Sequence, residues 1–80
     1  MLEVLRTARK VVGTHRLIKA IEAGQVAEAY VAQDADLFLY RQVSEACRKG
    51  NVPLREVDTM KHLGEACGIE VKTASCGILK

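Results

Sequence analysis

Apolar and polar positions alternate along the chain with two different periods, and the changes of period mark out four helix-like and four strand-like segments. Leu2 to Arg9 predicts a short helix with Val4, Leu5 and Ala8 on one side. Val11-Val12-Gly13 is a brief β-branched run ending in glycine. Thr14 then suits an N-cap, opening a helix through Ala23 that Gly24 stops. Leu17, Ile18 and Ile21 give this helix a stripe facing the core. Ala27 to Ala32 reads as a strand, ended by the turn Asp34-Ala35-Asp36, where Asp34 or Asp36 caps the next helix. That helix is predicted to run to Lys49 and end at Gly50, with Leu39, Val43, Ala46 and Cys47 inward. Pro53 to Val57 is a short strand, since proline suits a strand start and no helix interior. Met60 to Cys67 forms a short helix with Gly68 at its C-cap, and Thr73 to Leu79 is the last strand.

Strands alternating with helices of this length argue for an α/β fold, a three-layer α/β/α sandwich with a four-stranded sheet between helices. The 80 residues form a single domain, 1–80. A chain of this size buries roughly 60–65% of its unfolded surface. Aromatic content of 4% leaves aliphatic side chains to pack the core. No stretch reaches the roughly 18–20 apolar residues of a membrane span. Met1-Leu2-Glu3-Val4-Leu5-Arg6 lacks the long apolar region of a signal peptide. A cytoplasmic location, away from membranes, is expected.

Cys47, Cys67 and Cys76 form no C-x-x-C pair and have no clustered histidines, which argues against a disulfide framework and a zinc site. Three small buried thiols are the simpler reading, and no cofactor or metal is expected. His62 and Cys67 are five apart, a spacing that does not bring a nucleophile to its base. With no phosphate loop or dinucleotide fingerprint either, catalysis is not expected; an enzyme using Cys67 is the remote alternative.

The net charge of +2 says little, but its distribution says more. Residues 1–20 hold Arg6, Arg9, Lys10, Arg16 and Lys19 against Glu3, a net +4, whereas residues 21–80 sum to −2. A localised basic patch fits a polyanion, although charge drift over so short a stretch would give the same count.

Two separated segments carry the candidate chemistry. In Gly13-Thr14-His15-Arg16-Leu17-Ile18-Lys19, the glycine permits close backbone approach and the helix N-terminus attracts phosphate. His15, Arg16 and Lys19 share the outer side of the first turns, while Leu17 and Ile18 turn to the core. In the second segment, Leu63-Gly64-Glu65-Ala66-Cys67-Gly68-Ile69-Glu70-Val71, the last three residues should form an exposed loop. Apolar side chains there are suited to unstacked bases. Alternatively they tuck under the sheet edge, and one of Ile69 and Val71 is expected to do so. Asp36 and Tyr40 are four apart at a helix start and share a face. Tyr40 either stacks on a base or stands half-buried with its hydroxyl in water.

These two segments, with Val31-Ala32-Gln33-Asp34-Ala35-Asp36 and Asn51-Val52-Pro53-Leu54, resemble the ribosomal L7Ae family, whose members bind kink-turn RNA, and especially its small bacterial YbxF-type members. The resemblance covers nearly the whole chain. It implies a mixed sheet and a non-catalytic RNA-binding protein that stabilises kink-turns in structured RNA such as ribosomal RNA or riboswitches. It implies RNA contacts at Gly13, Thr14, His15, Arg16 and Lys19 and at the loop Ile69, Glu70 and Val71. Asp36, Tyr40, Met60 and Val71 would border a pocket for an extruded base. The family commonly has Asn and Glu where this chain has His15 and Arg16, reading the edges of sheared G·A pairs in the kink-turn, and arginine donates where glutamate accepts. A monomer is expected, with the ribosome as a possible partner. Because the fold family includes members that bind proteins, a protein-interaction module is the alternative.

Overall fold

The computed structural model describes residues 4–80; the predicted helix start at Leu2 and the charge of Glu3 lie outside them. The chain runs α1 (Val4–Thr7), β1 (Lys10–Val12), α2 (Thr14–Glu22), β2 (Val26–Ala32), α3 (Leu37–Gly50), β3 (Leu54–Val57), α4 (Met60–Ala66) and β4 (Ser75–Leu79). The four strands lie in the order β1-β4-β2-β3. β4 is antiparallel to both β1 and β2, while β3 lies parallel to β2. The sheet is therefore mixed, and the fold is the expected three-layer sandwich.

Period-two alternation along β2 builds two separate cores. Ala29 and Val31 face α2 and α3, packing with Leu17, Ala20, Ile21, Val43 and Cys47. Tyr30 and Ala32 face the other layer, with Leu5, Val57, Leu63, Cys67 and Cys76. Strict alternation would put Val26 beside Tyr30. A register irregularity between Val26 and Glu28 returns it to the α2–α3 side, as one inserted residue does in a bulge.

Several details differ from the sequence reading, among them β4, which starts at Ser75 rather than Thr73, and α1, which ends at Thr7 rather than Arg9. Gly13, not Thr14, occupies the N-cap of α2, at φ 105° and ψ 141°, a conformation that penalises any Cβ. Gly50 is the last residue of α3, as expected, but it does not make the turn that stops the helix. Asn51 caps it in the left-handed conformation (φ 59°), which asparagine tolerates. Gly50 is instead a packing residue, since a Cβ there would lie 2.8 Å from Ile21 Cγ2. Ile18 is only half-buried, lining with Leu39 and Gln42 a cleft between α2 and α3, and Leu39 and Ala46 are likewise only half-buried. Gly24 and Gly68 stop their helices as expected, although the C-cap of α4 is Cys67 rather than Gly68. Each follows a C-cap residue at positive φ, and the paired amides Gly24/Gln25 and Gly68/Ile69 return to the helix carbonyls of Ile21/Ala20 and Glu65/Gly64.

Candidate nucleic-acid interface

The first segment is an open helix N-terminus. No side chain of the described residues caps α2. The Gly13 carbonyl accepts from Leu17 N–H at 2.9 Å, leaving the amides of Thr14, His15 and Arg16 as the first-turn donors of the helix. His15, Arg16 and Lys19 are exposed around this end, as expected. His15 and Lys19 lie over the α2–α3 cleft, a hollow of about 330 Å³ that they line with Thr14, Ile18 and Leu39. Leu17 is fully buried behind them.

The second segment leaves α4 at Gly68 and returns along the same helix. Ile69 is half-buried against the core around Leu63 and Cys67, while Glu70, Val71 and Lys72 are exposed. Of the two apolar residues, Ile69 tucks in and Val71 stands out, 69% exposed. The loop ends at buried Thr73, whose N–H donates to the Met60 carbonyl at 3.2 Å.

Ser75 ties the two segments together. Its side chain is fully buried, and its hydroxyl lies 2.8 Å from that of Thr14. Its carbonyl accepts from Gly13 N–H at 3.0 Å and from the Thr73 hydroxyl at 3.0 Å. Neither Ser75 nor Thr73 stood out in the sequence, because Ser75 meets Gly13 and Thr14 only where β4 runs beside β1, and Thr73 meets Met60 only where the loop folds back on α4.

The third contributor is the start of α3. Asp36 caps the helix, accepting from Phe38 N–H at 2.7 Å, whereas Asp34 accepts from Met60 N–H at 2.8 Å and so holds the start of α4 beside it. Tyr40 is half-buried, and its hydroxyl, at the exposed surface, donates to the Glu56 carboxylate. The bond holds the Tyr40 phenol above its ordinary value and the Glu56 carboxyl below its own. Gln33 donates to the other Glu56 oxygen at 2.9 Å, so the ring of Tyr40 is fixed from the β3 side.

Among the described residues, Cys67 and His62, the pair weighed for catalysis, stand apart from one another. Cys47, Cys67 and Cys76 are buried free thiols, and burial pushes Cys47 and Cys76 up, against thiolate formation. His62 pairs with Asp58 at 2.8 Å on the exposed side of α4, away from buried Cys67. Among the described residues, no helix is long and apolar enough to cross a membrane.

The sequence model of the ribosomal protein L7Ae/L30e/S12e/Gadd45 family matches residues 1–80. The chain belongs to this family. An RNA-binding protein of Geobacillus kaustophilus is 44% identical over 78 residues, spanning 98% of this chain and 95% of its own. The RNA-binding protein YbxF of Geobacillus stearothermophilus is 42% identical over the same share of both chains. In three dimensions, the L7Ae-family fold superposes on the Giardia lamblia 15.5kD RNA binding protein with a TM-score of 0.90 and 25% identity, covering 99% of this chain and 70% of that one. Membership of a family with such relatives agrees with the reading of a non-catalytic protein.

Proposed function

We propose that the protein binds RNA, and specifically the kink-turn, through a face formed by the α2 N-terminus, the loop 69–71 and the start of α3. The observation that carries this reading is the joining, through Ser75, of an uncapped cationic helix start to a loop that exposes Val71. The amides of the first turn with His15, Arg16 and Lys19 would take phosphates and base edges. Val71, with Ile69 and Glu70 beside it, would press on the unstacked nucleotides of the kink. Asp36 and the clamped ring of Tyr40 would border the displaced base.

Such a protein works by population shift. A kink-turn exchanges between bent and extended forms, and a protein that binds only the bent one draws the equilibrium to it. A tenfold preference is worth about 1.4 kcal/mol. The protein acts as a cytoplasmic monomer in this reading. A kink-turn RNA with fluorophores on its two arms tests it: adding protein should raise energy transfer as the arms close, and unchanged transfer would refute the mechanism.

A protein-interaction module is the second reading. Leu37 and Phe38, exposed by 62% and 68% on the first turn of α3, favour it.

A further inference from the structure

Glycine in a helix interior costs about 1 kcal/mol against alanine, yet Gly64 sits in the middle of α4 and is buried. What lies over it gives the reason. A Cβ at Gly64 would overlap the carbonyl oxygen of Val71 and stand 3.1 Å from Lys72 Cα and 3.2 Å from the Val71 carbonyl carbon. All three are backbone atoms, so no rotamer change relieves the overlap. The backbone of residues 71–72 lies directly on the helix surface. Two hydrogen bonds bracket it: Ile69 N–H donates to the Gly64 carbonyl at 3.1 Å, and Thr73 N–H to that of Met60 at 3.2 Å. Between these anchors Glu70, Val71 and Lys72 are exposed. Gly50 differs in kind: the atom a Cβ there would meet first is the end of the Ile21 side chain, in the opposite helix layer.

The geometry points to Gly64 as a positioning residue, which sets the height at which the loop presents Val71 and fixes the loop before RNA arrives. This rests on the reading that the loop belongs to the RNA face. A segment already ordered in the free protein avoids the cost of ordering on binding. A methyl group at position 64 would push the loop out by about 1 Å, enough to spoil a preorganised contact.

Wild type, Gly64→Ala and Gly50→Ala are titrated with a kink-turn RNA and with a fully paired duplex, at a temperature where circular dichroism shows each protein folded. Wild type and Gly50→Ala should bind the kinked RNA alike. Gly64→Ala should lose about tenfold or more for the kinked RNA while its weak duplex affinity is unchanged. A role in stability alone would lower the melting temperature and leave the affinity of the folded variant intact, which would overturn the inference. Nitrogen-15 relaxation on the free wild type needs no variant: residues 70–72 should show order parameters near the rigid value of about 0.85, and values below about 0.6 would also overturn it. Wild type with no preference for kinked RNA would sink the functional reading and this inference together. A preference that Gly64→Ala fully retains would sink this inference alone.

Discussion

The hydroxyls of Thr14 and Ser75 meet at 2.8 Å across 61 residues of sequence, joining the first turn of α2 to the start of β4. Ser75 is fully buried, so removing its oxygen leaves Thr14 short of a partner in a half-buried place. Ser75→Ala should cost about 1–2 kcal/mol in urea unfolding. It should also weaken RNA binding, because the two segments lose a shared anchor. Unchanged affinity in the folded variant would show that the backbone bonds at Ser75 suffice.

Two neighbours on α2 should behave in opposite ways. Lys19→Ala removes an exposed charge and should weaken RNA binding by about 1–2 kcal/mol with little change in melting temperature. Leu17→Ala opens a cavity in the core and should destabilise the fold by about 2–4 kcal/mol. Thermal melts and binding titrations on both variants separate the two effects. Similar behaviour in the melt would mean that the two helix faces have been misassigned.

Tyr30 gives the fold an alkaline limit. Burial pushes its phenol from 10.0 up to about 12, and the hydrogen bond to Glu28 at 2.6 Å adds to the rise. A raised folded-state value means that this stabilisation is complete below the ordinary phenol value and is lost as pH rises through about 12. Tyr30→Phe has no proton to lose there, and Glu28 keeps Arg55 at 2.6 Å as its partner. Urea midpoints from pH 8 to 12 should fall more steeply for wild type than for the variant. Parallel curves would contradict the assignment.

The elements were legible in the sequence because their signals are local. Gly24 and Gly68 stop helices through left-handed turns that almost only glycine adopts freely, and β2 declares itself by its apolar run. The misread ends have local rivals: Thr14 is a good cap by composition, but Gly13 holds the cap while the hydroxyl turns to Ser75. At the end of α3, Gly50 looks like the stop until Ile21 is seen packed against it, and Asn51 takes the turn. The candidate site was legible in its exposed charges. The bonds that hold it were not, because Ser75–Thr14, Tyr40–Glu56 and Asp34–Met60 are made only by strand pairing and layer packing.

Arg16 stands where the resemblance to the family implies a glutamate, and changing it should alter specificity more than affinity. Arg16→Glu places an acceptor where guanine N–H groups can donate, and removes a positive charge near phosphate. The effects oppose, so net affinity should change little while discrimination against altered G·A pairs rises. Binding to kink-turns with single substitutions in those pairs tests this. An identical rank order before and after would show that position 16 never touches the bases.

Recognition of the kink itself separates this reading from attraction by charge alone. It is tested most directly by measuring affinity, at one fixed salt concentration, for a kink-turn RNA and for the same RNA with its G·A pairs replaced by Watson–Crick pairs. Clear preference for the kinked RNA is expected, by about tenfold or more, with shallow salt dependence because few cations face the backbone. Equal affinity for the two RNAs, falling steeply with salt, would contradict it and leave only non-specific attraction between a basic helix end and a polyanion.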